Sequence, residues 1–273
     1  MNQVDDGNGA EAEATPVRGH RASHGEALLD RAFRVLDCFG PDTPVLSLTS
    51  LAARSELPKA TALRIARKLV EKGALERTDS GQYTIGLRLL EIAALAPRGH
   101  GLRAIALPYM QDLLHATRQH VALVVRENLD GVLVERLTSH HAEPVAYRVG
   151  GRMPLHTTAP GLVLLAFAPA HVQDDVLGGD SHADGAETGD PNGDGDALRS
   201  RLAAVRRDRY AVYSRRHCAF PTTAIAAPIF DRHQTVIAAV SILTSSERTE
   251  PSAHIPAVVA VTRAISRTMA YDT

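Results

Sequence analysis

Apolar residues first come into register at Leu28, Leu29, Ala32, Val35, Leu36 and Phe39. Their three- and four-residue spacing predicts a helix beginning near Glu26, ended by Gly40-Pro41. Ser47 is placed to cap a short helix, Leu48–Arg54, with Leu48, Leu51 and Ala52 turned inward. Pro58–Lys72 then carries a regular stripe. Ala62, Ile65, Ala66, Leu69 and Val70 fall on one face, and Ala60, Thr61, Arg64, Arg67 and Lys68 on the opposite one. Pro58 suits the first helical position, where a missing N–H costs nothing, and Gly73 suits a left-handed residue just past the end. Ser55-Glu56-Leu57 joins the last two helices closely enough to make a helix-turn-helix.

Past Gly73 the period changes. Ala74–Arg77 and Gln82–Ile85 read as two short strands about the turn Thr78-Asp79-Ser80-Gly81. A basic front alone describes many surface helices. Three helices followed by a hairpin describe a winged helix-turn-helix, whose second helix, with its apolar back and basic, hydroxyl-bearing front, fits a DNA major groove. Gly86 leads into a helix at Leu87–Ala96, broken by Pro97-Arg98-Gly99-His100-Gly101, where a domain boundary is placed.

The remainder alternates between periods. A helix is predicted at Leu102–Thr117, then strands at His120–Arg126 and Val132–Leu137 around Asn128-Leu129-Asp130-Gly131, and a third strand at Val145–Val149 before Gly150-Gly151. Thr158 can cap a helix running to about Ala168. A helix at Ala197–Arg207, strands at Tyr210–Tyr213, Ala224–Phe230 and Val236–Leu243, and a closing helix at Pro256–Ala270 complete the pattern. Helices mixed with hairpin-linked strands define an α+β sensor domain with a central antiparallel sheet. Two segments fall outside any periodicity. Residues 1–25 have the composition of a disordered tail, and residues 178–196 form an acidic low-complexity stretch without Lys or Arg, expected as a flexible insertion.

Composition narrows the chemistry. The 273 residues suit two domains, and a formal net charge of −1 supplies no global attraction to nucleic acid. Basic charge is local: Lys59, Arg64, Arg67, Lys68 and Lys72 stand against Glu71 alone in the Pro58–Lys72 helix. Cys38 and Cys218 are far apart with no CxxC, which argues against a disulfide framework or a structural zinc site. The start has no signal-peptide pattern, and the longest apolar run, near Leu162–Ala168, is too short to span a bilayer, so a cytoplasmic, membrane-free protein is expected. Thirteen histidines, His140-His141, His156 and His217 among them, show no metal-ligand spacing such as HExxH. The acidic stretch does not match an EF-hand loop. GxSxG, P-loop and dinucleotide fingerprints are absent from the sequence. No metal, no cofactor and no catalytic residue are expected, and the chain reads as a non-enzyme.

The helix start after Leu155 is the candidate small-molecule site. Unpaired N–H groups and the partial positive charge of a helix N-terminus hold a carboxylate without a cationic side chain. Gly161 and Leu162 are the expected donors, Met153, Leu155 and Ala159 the apolar wall, and Ser241 a hydroxyl from a facing strand.

The stretch SLTSLAARSELPKATALRIARKLVEKGALER, continued by GQYTIGLRLLEIA, closely resembles the DNA-binding domain of the IclR family of bacterial transcription regulators. Downstream, GGRMPLHTTAPGLVLLA resembles the family's effector-domain segment, and LRSRLAAVRRDRYAVYS and TTAIAAPIFDRHQTVIAAVSI its later strands and helices. The resemblance implies a winged helix over residues 26–86, a linker helix over 87–97, and a GAF-like α/β effector domain over 98–273. It implies a homodimer or dimer of dimers on a palindromic DNA operator, acting as a repressor or other regulator, with a small, often acidic, metabolite as effector. In that arrangement Thr61, Arg64 and Lys68 face base edges or groove walls, Lys59 and Arg67 take phosphates with Ala60 on the same front, and Arg77 and Gln82 on the wing touch the backbone or minor groove. Two departures stand out. Pro160 occupies a place usually held by Ser, and Asp208-Arg209-Tyr210 lacks the Gly that commonly precedes the strand; Arg215, Arg216, His217 and Cys218 beyond it are also unusual. A winged-helix regulator with a non-sensing dimerisation domain is the nearest alternative, and an enzyme with a DNA-binding appendage the more distant one.

Overall fold

In the computed structural model, which describes residues 27–96, 101–139, 147–178, 195–215, 221–245 and 251–271, the chain divides between Glu91 and Ile92 into two units. The division falls within the 87–97 segment assigned above to a linker. The expected tail at 1–25, His140-His141, and His217 and Cys218 lie outside the described residues, as do 179–194 of the acidic stretch.

The first unit comprises α1 (Leu28–Leu36), β1 (Val45–Leu46), α2 (Leu48–Arg54), α3 (Lys59–Glu71), β2 (Leu75–Arg77), β3 (Tyr83–Ile85) and α4 (Leu87–Ala93). Ser47 caps α2 as expected, its Oγ accepting the Ser50 N–H at 3.1 Å, a contact that contributes about 1 kcal/mol. Pro58 is a correction. Its ψ of 137° is extended, so it is the capping residue of α3 rather than its first turn, and its carbonyl accepts the Ala62 N–H at 3.0 Å. At the other end Gly73 has φ +73°. Its N–H bonds Val70 O and the Ala74 N–H bonds Leu69 O, the paired bonds of a Schellman ending. β2 and β3 form the wing, joined by β1, which the sequence pattern did not reveal, in the order β1-β3-β2. Two residues paired through Val45↔Thr84 and Leu46↔Tyr83 are too short to show a period. The helices close on Val35, Leu51, Ala62, Ile65, Leu75 and Tyr83.

The wing is tied to α4 by a side chain: Glu76 Oε1 accepts the Leu87 N–H at 3.0 Å. Gly86, between them, has no room for a side chain, because a Cβ there would stand 2.1 Å from Gly73 O.

The second unit contains α5 (Leu102–Thr117), β4 (His120–Glu127), β5 (Asp130–Leu137), β6 (Arg152–Pro154), α6 (Ala159–Ala166), α7 (Ala170–Gly178), α8 (Gly195–Asp208), β7 (Ala211–Arg215), β8 (Thr222–Phe230), β9 (Val236–Ser245) and α9 (Ile255–Tyr271). One antiparallel sheet runs β6-β5-β4-β9-β8-β7. Strand alternation splits it into two faces. Val121, Leu123, Val125, Ile225, Ala227, Ala238, Val240 and Ile242 pack with α5 and α9, while Val124, Leu133, Ala226 and Ala239 pack with α6, α7 and α8. Two expectations are corrected. The third strand is Arg152–Pro154: of the expected Val145–Val149, residues 147–149 are not strand and 145–146 lie outside the described residues, while the backbone of Gly150 and Gly151 bonds Leu133 on β5 and the strand forms after them. α7 was missed, since Val172 is its one fully buried residue and gives no stripe. The acidic stretch is bounded by helix, with Gly178 ending α7 and Gly195-Asp196 opening α8.

Candidate nucleic-acid interface and sensor face

On α3 the apolar back of Ala62, Ile65 and Ala66 is buried, and Lys59, Ala60, Arg64, Arg67 and Lys68 are exposed, with Thr61 partly so. The helix therefore presents the front that its periodicity assigns. Its charges are unequal. Lys68 Nζ lies 2.8 Å from Glu71 Oε2, and that hydrogen bond holds the Glu71 carboxyl below its ordinary range. Arg64 and Arg67 have no such partner among the described residues, so the uncompensated positive charge of α3 is centred on them. On the wing, Arg77 Nε donates to Gly81 O at 3.2 Å and Gln82 Oε1 accepts from Ser80 at 3.0 Å. Both side chains thus shape the turn, and Gly81 takes it at φ +78°.

In the second unit Met153, Leu155, Ala159, Pro160, Gly161 and Leu162 come together, all buried, in the core around α6. The cap reduces what that helix start can offer. Thr158 Oγ1 accepts the Gly161 N–H at 3.1 Å, and Thr158 O accepts the Leu162 N–H at 2.8 Å. Both expected donors are therefore used internally, and Pro160 has none. Gly161 is instead a close-approach glycine, since a Cβ would lie 2.5 Å from both Leu155 O and Thr158 Oγ1. His156, between β6 and α6, is half-buried, and burial lowers its imidazole below the usual range.

Ser241 belongs to the same face of the sheet. It pairs with Ala122 on β4 and Ala226 on β8, and Ala122 pairs with Arg136 on β5. The neighbouring row is His120, Leu243, Ala224 and Tyr213. Ala226 and Ala239 are closed over by α6, yet Ala122 and Ala224 remain partly accessible on internal strands. Ala122, Ser241 and Ala224 therefore make a patch of small residues on this face, partly open at Ala122 and Ala224. Ser241 is only 6 % exposed, and its hydroxyl makes no hydrogen bond among the described residues. Arg136 is partly buried at one margin. One guanidinium nitrogen donates to Tyr147 O at 2.6 Å, and no carboxylate pairs with it among the described residues. Tyr147 and Tyr213 flank the same core. Arg136, Ala122, Ala224 and Tyr213 were not singled out from the sequence. The alternating small residues of TTAIAAPIF and VIAAVSI hinted at close packing, but strand order was needed to put Arg136 beside them.

A winged helix with a basic reading helix, followed by an antiparallel-sheet domain with small and polar residues together on one sheet face, is the build of a DNA-binding regulator that carries a sensor domain. Comparison with known proteins agrees. Residues 28–79 match the IclR helix-turn-helix domain and residues 95–271 match the bacterial transcriptional regulator IclR C-terminal domain. The chain belongs to the IclR family of bacterial transcription regulators. It is 30 % identical over 247 residues to a glycerol operon regulatory protein of Streptomyces coelicolor, covering 89 % of this chain and 95 % of that one. It is 26 % identical over 223 residues to the regulator XynR of Escherichia coli, covering 81 % and 87 %. Among solved structures, an IclR homolog from Microbacterium hydrocarbonoxydans complexed with 4-hydroxybenzoate superposes with a TM-score of 0.80 at 31 % identity, covering 89 % of this chain and 99 % of that one. These relatives are named as regulators, not enzymes. No helix among the described residues is long and apolar enough to cross a membrane.

Proposed function

We propose that this regulator binds a palindromic operator as a dimer and is switched by a small organic molecule held in its second domain. The exposed basic front of α3 beside the wing carries the proposal. In this arrangement Thr61, Arg64 and Lys68 face base edges, Lys59 and Arg67 engage phosphates next to Ala60, and Arg77 and Gln82 bring the wing to the backbone or minor groove. Leu28, Leu29 and Phe33 on α1 and Leu87 and Leu90 on α4 are each more than half exposed. That much uncovered apolar surface on a small domain suits pairing with a second copy.

The effector's place is the face lined by Met153, Leu155, Ala159, Pro160, Gly161, Leu162 and Ser241, with residues 98–273 as the sensing domain. The 4-hydroxybenzoate bound to the Microbacterium homolog supports a small organic acid. Pro160 withholds an N–H and the neighbouring donors are engaged, which favours a ligand bulkier than pyruvate. The unmatched Ser241 hydroxyl argues for sensing over a purely dimerising role. The test is capture of genomic fragments on the purified protein, sequencing, and titration of recovered sites with and without candidate acids. Inverted-repeat sites released by a small molecule are expected. Recovery without any shared inverted repeat would defeat the operator proposal.

A further inference from the structure

Resting on the sensor reading of the second domain, we infer that its effector is a flat, ring-bearing carboxylate, with the carboxylate on Arg136 and the ring on the patch of Ala122, Ser241 and Ala224. The anchor comes first. Arg136 is partly buried, and its tie to Tyr147 O fixes the guanidinium while leaving its other N–H groups unmatched among the described residues. Charged groups withdrawn from water are normally paired, and a planar guanidinium pairs most favourably with a carboxylate through two parallel hydrogen bonds. Three other arginines of this domain are committed: Arg206 donates to Ala166 O, Arg152 to Asp130, and Arg103 to Glu135 on the opposite face.

Shape supplies the ring. Ala122, Ser241 and Ala224 project little from their strands, so a flat group can lie across β4, β9 and β8. Arg136 on β5 and Ser241 on β9 are two strand spacings apart, about 10 Å at the backbone. A two- or three-carbon acid seated on Arg136 falls short of that hydroxyl, whereas a ring bridges the gap. Tyr213 pairs with Ala224 across β7 and β8, Tyr147 packs on the same core, and both offer aromatic edges to a ring. The Ser241 hydroxyl, without a hydrogen bond among the described residues on a residue only 6 % exposed, would then meet a polar ring substituent and gain a partner. The start of α6 does not compete as a carboxylate site, because its N–H groups at Gly161 and Leu162 are engaged.

Calorimetry on the full chain with benzoate, 4-hydroxybenzoate, benzamide and pyruvate tests this, with folding of each variant checked by thermal melting. Both ring acids should bind, with benzamide and pyruvate at least tenfold weaker. Arg136→Gln should abolish the preference for benzoate over benzamide, and Arg136→Lys should keep part of it. Ser241→Ala should bring 4-hydroxybenzoate down to the affinity of benzoate. Unchanged benzoate binding by Arg136→Gln, tightest binding of pyruvate, or no binding of either ring acid by the wild type would overturn the inference. Ala224→Leu, which crowds the patch, separates a wrong ligand class from a wrong site. If pyruvate binds best and Ala224→Leu blocks it, the sensing face stands and only the ring class falls. If Ala224→Leu leaves the bound probe unaffected, the sensing face lies elsewhere.

Discussion

Arg209 shows how one residue can replace a glycine. It adopts φ +63° just before β7, the left-handed conformation that glycine takes freely and that costs other residues about 1–2 kcal/mol. Its guanidinium carbon lies 5.5 Å from the Phe167 ring centre and 4.8 Å from that of Phe230, and the two rings meet edge-on at 5.6 Å. Each exposed cation–π contact returns roughly 0.5–1 kcal/mol, so strain and attraction nearly cancel. Arg209→Ala keeps the strain and loses both contacts, and is expected to destabilise by about 1–2 kcal/mol. Arg209→Gly loses both and is expected to be near neutral. Urea denaturation of both variants checks the pair; equal losses would show that the backbone strain is unimportant. On α3, Arg64→Ala is expected to cost about 1–3 kcal/mol on the operator while relaxing sequence preference. Glu71→Gln frees Lys68 and is expected to tighten all DNA and steepen its salt dependence. Titrations on operator and random duplexes at several salt concentrations measure both; an equal Arg64→Ala loss on the two DNAs would rule out base reading.

At the scale of an element, α6 is unusual in being buried along all eight residues. A helix so enclosed tolerates little added volume, and Gly161 is its tightest point. Gly161→Ala is expected to destabilise by about 1–3 kcal/mol or more through overpacking, which denaturant titration would show. His156 precedes the same helix, and burial lowers its folded pKa below the ordinary 6.5. The unfolded chain therefore takes up the proton first. Stability is unaffected well above pH 6.5 and declines as the pH falls below that value toward the folded pKa. Melting temperatures measured from pH 7.5 to 5 should fall on the acid side, and His156→Gln should flatten that portion. An unchanged profile in the variant would assign the acid loss to other groups.

At the scale of the whole molecule, the proposed dimer draws on apolar surface that one chain leaves open. Leu29 and Leu90 are among the exposed apolar residues of the first unit. The double substitution Leu29→Glu, Leu90→Glu is expected to weaken self-association and lower affinity for a full operator by about 100-fold, as a bivalent contact becomes monovalent. Binding to a single half-site should be nearly unchanged. Sedimentation and half-site titrations decide between this and a monomeric mode of binding.

Local periodicity determined most of the elements. The α3 stripe, the Ser47 and Thr158 caps, the Gly73 ending and the wing turn each depend on residues within a few positions of one another, so spacing alone locates them. The pair β1 and β3, 40 residues apart at Thr84 Oγ1 and Pro44 O, has no such local signature. The patch of small residues beside Arg136 was equally hidden. Arg136, Ala122, Ser241 and Tyr213 lie far apart along the chain and meet through strand order and register, and a slip of one residue would turn each to the opposite face. The α6 start shows the converse. Sequence identified a capped helix N-terminus, but only the folded hydrogen bonds reveal that Thr158 already occupies the donors at Gly161 and Leu162. Which groups are left unmatched is a property of the whole packed domain, because every polar group near the site competes for the same partners.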